Sequence, residues 1–323
     1  AAPAYLRGVG DITKEMYRQI ELVAPTDYSV VLYGESGTGK EVIARTIHEL
    51  SNRKDKPFVA VDCGTLSKEL ASSELFGYVK GSFTGAAADK EGNFEIANGG
   101  TLFLDEVANL SYDIQASLLR AIQEKKIRRV GGDKEIPTDV RIIVASNENL
   151  QTAYLAGRFR EDLYHRFNEF SVIIPPLRER KSDLELLTTF FAQKFCNEFN
   201  KIFVGIDASM QDEMYKYDWP GNIRELENVL EQSIILNDGK SPLRLKRSLI
   251  ASSESAANRD IRTLEDVKRV QQDTERDYII SVLQKTNGRI RGANGAAELL
   301  NIKPTTLESK IEKLNIKRGD RSY

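Results

Sequence analysis

"VVLYGESGTGKE", residues 30–41, decides the fold. An apolar β-rich run (Val30–Tyr33) meets a glycine-rich turn and then a lysine where a helix can start. Gly34, Gly39 and Lys40 match the G-x-x-x-x-G-K part of a P-loop. Such glycines let backbone N–H groups point at phosphate oxygens, and the helix that follows offers its positive end to the same anion. Across Glu35, Ser36, Gly37 and Thr38 the turn forms the cradle, and Lys40 adds a point charge for the β/γ-phosphates. A Ser/Thr hydroxyl for Mg²⁺ is usual next; Glu41 stands there instead.

Working outward, "TLFLDE" (101–106) is an apolar strand ending in two adjacent carboxylates. Asp105 at a strand end suits Mg²⁺, directly or through water, and Glu106 is placed to orient and deprotonate an attacking water. A P-loop followed in order by this pair makes hydrolysis of a nucleoside triphosphate the reading, with Mg²⁺ as an expected ligand. "RIIVASN" ends a further strand with Ser146 and Asn147, polar groups that can sense a γ-phosphate or position water. "GRFREDLYHRF" carries Arg160 and Arg166; their planar, permanently charged forks suit phosphoryl charge, and ordinary surface arginines are the alternative that the residues leave open.

Around these motifs, "YSVVLYG", "FVAVDC", "GTLFLDE" and "VRIIVASN" alternate with helical patterns at 40–50, 67–75 and 113–124. Buried strands between helices predict a parallel α/β sheet covered on both faces. After "PPLRER" the strand pattern stops. Helices are expected over 183–200, 210–216 and 222–236, with "WPGN" as the turn opening the last. The predicted organisation is an α/β nucleotide-binding part (1–174), an α-helical lid (175–240), a linker (241–262) and an all-α helix-turn-helix domain (263–323). In that last part, 263–285 reads as one long helix and 293–300 and 305–314 as two short ones joined by "NIKP".

Composition sets bounds. At 323 residues, 41% hydrophobic and 29% charged, the chain has room for about two ordinary cores and a small third. Two cysteines (63 and 196) and two histidines (48 and 165) argue against a disulfide framework or a Cys/His metal centre and fit a cytoplasmic protein. No membrane span is expected. The start, Ala-Ala-Pro, points to a piece of something longer. The net charge of −2 hides an asymmetry: residues 285–323 hold nine Lys/Arg against four Asp/Glu. That basic end hints at nucleic acid.

Together the motifs resemble the bacterial enhancer-binding proteins, AAA+ ATPases that activate sigma-54 RNA polymerase. "GESGTGKE" (34–41), "SELFGYVKGSFTGA" (73–86), "GGTLFLDE" (99–106), "GRFREDLYHR" (157–166), "PPLRER" (175–180) and "WPGNIRELEN" (219–228) carry the resemblance, in the family's order. It implies that Glu41 is ordinary, and that Gly81, Ser82, Phe83, Thr84, Gly85 and Ala86 form the loop that contacts sigma-54, with Ser82 in place of the usual alanine. It implies that Arg160 and Arg166 reach a neighbouring subunit's ATP in a ring, usually a hexamer. Arg224 matches the lid arginine that senses nucleotide, and Ser146 and Asn147 the first sensor. Asp62 stands where an asparagine usually holds the catalytic glutamate; an ionised Asp62 cannot donate to Glu106 and repels it.

The C-terminal pattern resembles a Fis-type helix-turn-helix. Thr305, Thr306, Ser309, Lys310 and Lys313 would face or flank the major groove of double-stranded DNA at upstream sites, in paired copies. The function implied is a cytoplasmic, ATP-hydrolysing activator that remodels sigma-54 polymerase. The rival is a DNA-binding regulator whose ATPase fold serves only as an assembly switch. A receiver or a ligand-sensing domain ahead of residue 1 is the expectation, and these residues do not name the signal.

Overall fold

In the computed structural model the described residues are 7–245 and, beyond them, 249, 279, 282, 283, 286, 289, 290, 296–299, 304–313 and 316. Contacts gather the chain into two units, Ala1–Leu249 and Ile250–Tyr323.

In the first unit the elements run α1 (Asp11–Val23), β1 (Val30–Tyr33), α2 (Lys40–Glu49), β2 (Phe58–Asp62), α3 (Lys68–Phe76), β3 (Gly77–Tyr78), β4 (Lys90–Glu91), α4 (Asn93–Ile96), β5 (Thr101–Asp105), α5 (Tyr112–Glu124), β6 (Lys126–Arg128), β7 (Glu135–Pro137), β8 (Arg141–Ser146), α6 (Leu150–Leu155), α7 (Glu161–Phe167) and β9 (Phe170–Ile173). Three helices follow: α8 (Leu184–Glu198), α9 (Ala208–Lys216) and α10 (Asn222–Leu236).

Five strands form one sheet in the order β2-β5-β8-β1-β9, with every pairing parallel. Parallel strands are covered on both faces and so are apolar throughout; all six residues of β8 are buried. Alternation then assigns each strand residue to a face. Val30, Leu32, Phe103, Ile143, Ala145 and Val172 pack with Met16 and Ile20 of α1 and Ile43 and Ile47 of α2. Val31, Leu102, Leu104, Ile142 and Val144 pack on the other side with Leu75, Leu118, Ile122, Leu163 and Phe167. The parallel α/β expectation is met.

Two short antiparallel hairpins, β3-β4 and β6-β7, lie outside this sheet and lean on each other: Val79 N–H donates to Val130 O at 3.1 Å and Val130 N–H to Gly77 O at 2.8 Å. Neither hairpin, nor β9, was expected from the sequence pattern. Strands of two to four residues are too short to establish a period.

The helical segment has its own core, built by Leu184, Leu187, Phe191 and Phe195 of α8, Met210 and Met214 of α9, and Leu226, Leu230 and Ile234 of α10. Trp219 fills its centre at 0% exposure, and its indole N–H donates to Met214 O at 2.9 Å. Trp219→Ala should lower unfolding stability by about 3–5 kcal/mol, read from denaturant midpoints. An unchanged midpoint would mean that the site collapses around the void.

In the second unit Ile279, Val282, Leu283, Ala296, Ala297, Leu307, Ile311 and Ile316 form one small core. It includes α11 (Ala296–Leu299) and α12 (Pro304–Lys313). Proline opens α12, the helix position where its missing N–H costs nothing. The long helix expected over 263–285 lies outside the described residues except at 279, 282 and 283.

Candidate nucleotide site

The carboxyl ends of the parallel strands, where ligands of open α/β sheets bind, carry nearly all the sequence-predicted groups. After β1 the chain turns through the glycine loop. Gly37 (φ +78°) and Gly39 (φ +94°) hold the left-handed backbone that such a turn needs. A side chain at Gly37 would also strike Gly221 O at 2.3 Å, so the loop and the helical lid meet there. Lys40 opens α2 and is buried; its ammonium donates to Gly34 O at 2.9 Å and Glu35 O at 3.1 Å. Burial pulls its pKa down, against the Asp105 and Glu106 charges that raise it. Glu41 instead pairs with Arg45 along the helix surface at 2.9 Å.

Asp105 ends β5, and its carboxylate accepts the Glu106 N–H at 2.9 Å. Burial raises its pKa above the usual carboxylate range, and Lys40 opposes that shift. Asp62 ends β2 in register with Asp105. Its Oδ1 accepts the Gly64 N–H at 2.8 Å, so it acts here as an acceptor. Glu106 has a left-handed backbone (φ 51°, ψ 41°), which costs a non-glycine residue about 1–2 kcal/mol. Ser146 is fully buried at the end of β8, and its hydroxyl is taken up locally by Glu148 O at 2.7 Å. Asn147 next to it is exposed.

The lid reaches over the loop. Arg224 donates to the Ser36 hydroxyl at 3.2 Å, and the N–H groups of Ile223 and Arg224 donate to Gly37 O. Several further residues, not singled out in the sequence, complete the junction. Asn222 is fully buried at φ 53°; its amide donates to Ser36 O at 3.0 Å and Glu35 at 3.2 Å, and accepts Leu177 N–H at 2.8 Å. Arg178 forks onto Glu35 at 2.6 and 2.9 Å, which with Asn222 holds the Glu35 carboxyl below its ordinary pKa. Buried Arg180 donates to Thr38 O at 3.0 Å. Asp183 gathers Val9 N–H, Gly10 N–H and the Thr13 hydroxyl, tying the N-terminal segment to the lid. Between loop, lid and α1 lies a cavity of about 470 Å³ whose walls include Gly39, Val42, Tyr17, Phe191, Ile223 and Arg224. Apart from Asn222 and Leu177, 45 residues apart, these partners lie more than a hundred residues apart in the chain, so spacing gave no signal for them.

Arg160 and Arg166 stand outside this group among the described residues. Arg160 forks onto Asp162 at 2.7 and 3.0 Å and lies over the Tyr112 ring at 5.1 Å. Arg166 pairs with Glu169 at 2.9 Å, while its buried Nε has no partner.

The 81–86 loop tops the β3-β4 hairpin. Gly81 (φ +82°) and Gly85 (φ +104°) face open space, and Ala86 N–H closes a turn onto Phe83 O at 3.0 Å. Phe83 is 43% exposed. The sequence gives it no apolar run on either side, yet Tyr78 meets it edge-on at 4.9 Å. Across the hairpin, residues five apart can touch. Ser82 packs on Gly131 of the β6-β7 hairpin, where a Cβ would lie 2.6 Å away. Thr84 is exposed. In α12, Thr306 and Ser309 are exposed, and the side chains of Thr305, Lys310 and Lys313 lie outside the described residues. Among the described residues no helix is long and apolar enough to cross a membrane.

The comparisons agree with this geometry. The sigma-54 interaction domain family matches residues 6–173, the AAA+ ATPase lid domain 178–261, and the Fis family of bacterial regulatory proteins 271–314. The DNA-binding transcriptional activator HyfR of Escherichia coli (strain K12) is 42% identical over 96% of this chain and 48% of its own length. The transcriptional regulatory protein ZraR of Salmonella typhimurium is 40% identical over 97% of this chain and 69% of its own length. The chain thus spans about half of HyfR. Crystal structures of NtrX from Brucella abortus are 31% identical, with TM-score 0.72 over 96% of this chain and 69% of that one; a second, in complex with ADP, has TM-score 0.71 over 98% and 71%. The Saccharomyces cerevisiae Hsp104:casein complex shares the fold at 20% identity and TM-score 0.52 over 71% of this chain and 45% of that one. On its sheet order, its lid and these matches, the chain belongs to the sigma-54 interaction domain family of AAA+ ATPases and carries a Fis-type helix-turn-helix segment.

Proposed function

We propose that this chain is an ATP-hydrolysing transcriptional activator that binds upstream DNA and drives sigma-54 RNA polymerase from closed to open promoter complexes. The observation that carries the reading is a cavity walled by the Gly37–Gly39 turn and Arg224, with Lys40 of the same turn within electrostatic reach of Asp105 and Glu106 at the end of β5, in a unit whose 81–86 loop presents a half-exposed Phe83.

ATP is the substrate. The N–H groups of residues 36–40 and Lys40 hold its phosphates, and the cavity between lid and α1 takes the base and sugar. For Mg²⁺ the donor set fits: one half-buried carboxylate at a strand end, beside the phosphate turn, is how this ion is held when phosphates supply other ligands. Asp105 would hold Mg²⁺ there, and the ion would supply positive charge against the phosphates. Glu106 orients and deprotonates the attacking water, with Asp62 beside it and Asn147 on the neighbouring strand. Ser146 supports Asn147 through its turn. Arg224 reports nucleotide to the lid.

Arg160 and Arg166 serve the ATP of an adjacent protomer. That use implies a ring, a hexamer in this reading, in which each arginine gives up the carboxylate it now pairs with. Residues 81–86 touch sigma-54, and Phe83 is the anchor. Thr305, Thr306, Ser309, Lys310 and Lys313 contact DNA from α12, in paired copies. The compartment is the cytoplasm. The domain boundaries proposed are those of the sequence reading, 1–174, 175–240, 241–262 and 263–323.

The test is phosphate release from ATP by the purified chain. Chelating Mg²⁺ should abolish it, and turnover that persists in a chelator would contradict the site. The pH dependence of kcat/KM should carry an acid limb from Asp105, since a protonated carboxyl cannot hold the cation. Its burial-raised pKa places that limb above the ordinary aspartate value of about 3.9. Activity is therefore lost as pH falls through the raised value. A profile flat to pH ~4 would contradict the assignment.

A further inference from the structure

The Glu106 carboxylate is held by a residue that nothing above assigns to the reaction. Asn109 Nδ2 donates to Glu106 Oε2 at 2.9 Å, and among the described residues this is the side-chain hydrogen bond that Glu106 makes. A carboxylate only accepts, so its chemistry fixes which end of the Asn109 amide faces it. The contact is local. Glu106 caps a 3₁₀ turn, Val107–Asn109, in which the Asn109 N–H also returns to Glu106 O at 2.9 Å. A 3₁₀ helix has three residues per turn, so side chains at i and i+3 eclipse and residue 109 stands over residue 106. The left-handed backbone of Glu106 starts that turn.

The same bond sets where the carboxylate points. A Cβ built on Gly64 would lie 2.3 Å from Glu106 Oε2, 3.2 Å from Asn109 Nδ2 and 3.2 Å from Asp62 Oδ1. Gly64 follows β2, the edge strand, whereas the phosphate turn follows β1, two strands beyond β5 on its other side. The catalytic carboxylate is thus drawn toward the sheet edge. Asp62, at the end of that edge strand, spends its Oδ1 on the Gly64 N–H and offers no proton of its own when ionised. The glycine makes room for the arrangement, since any side chain there would displace Oε2.

We propose that Asn109 is a positioning residue that restrains Glu106 on the β2 side of β5 and so limits the basal rate of ATP hydrolysis. This rests on the reading of Glu106 as the base. Loss of the restraint frees the carboxylate to reach the water at the phosphate side. The binding of ATP, made by the loop and lid, is untouched.

Steady-state ATP turnover of Asn109→Ala tests it. The expected result is a kcat raised roughly tenfold, the scale of one hydrogen bond to a charged acceptor, at unchanged KM. Gly64→Ala removes the same bond by contact and leaves Asn109 in place, so it should raise kcat likewise. Adding Asp62→Asn to Asn109→Ala brings a donor amide from the other side of the same space and should return kcat toward the starting value. An Asn109→Ala kcat that is unchanged or lower, or a double variant that shows no return, would overturn the proposal. Failure of the underlying reading looks different: it would appear as turnover that survives Glu106→Gln, whatever residue 109 is.

Discussion

Glu106→Gln should still bind ATP and should lose hydrolysis by about 10²–10⁴-fold, the usual contribution of a general base. Glutamine keeps the size and the hydrogen-bond reach of glutamate but cannot take a proton. The strained start of the 3₁₀ turn depends on the backbone, so the fold of the site is retained. In the proposed reading nucleotide binding rests on other groups: Lys40, the loop N–H groups and Arg224, which donates to the Ser36 hydroxyl. The expected split is therefore an unchanged ATP dissociation constant with a collapsed kcat. Equal loss of both would mean that Glu106 is structural. Undiminished turnover would place the base elsewhere.

Phe83→Ala should separate hydrolysis from its use. The ring is not part of the cavity wall and, among the described residues, makes one aromatic contact, with Tyr78. Removing it leaves the phosphate turn and the strand ends alone, so ATP turnover stays near its normal value. An exposed aromatic that anchors a partner commonly contributes 2 kcal/mol or more, which is about 30-fold in affinity. Binding to sigma-54 in the presence of nucleotide should fall by at least that factor. Retained binding would remove Phe83 from the interface and return it to the role of a cover for Tyr78.

Legibility in the sequence followed the range of each interaction. The parallel sheet was readable because four of its five strands are compact apolar runs with turn residues at both ends, and β1, β5 and β8 are buried along nearly their whole length. The site's own strand was readable too: the spacing from Lys40 to Asp105 places both at carboxyl ends of one sheet. The lid contacts were not. Asn222 and Trp219 take positive φ without glycine, a choice made by what surrounds them, and Arg178 and Arg180 look like surface charge until the loop is folded beneath them. The contact of Phe83 with Tyr78 was not legible, because the hairpin that brings Tyr78 to it is two residues per strand. Asp62 was recognised as a poor partner for Glu106; the donor that does hold it, Asn109, sits only three residues away, at a spacing that matters because the turn is 3₁₀.

The central claim is that cutting the terminal phosphate of ATP drives work on polymerase. Promoter opening measures this directly, with the purified chain, sigma-54 polymerase and a promoter carrying upstream sites, detected by reactivity of unpaired bases. Opening should occur with ATP and be absent with a non-hydrolysable analogue that still binds. Equal opening with both would show that nucleotide acts only as an assembly switch, and the claim would be wrong.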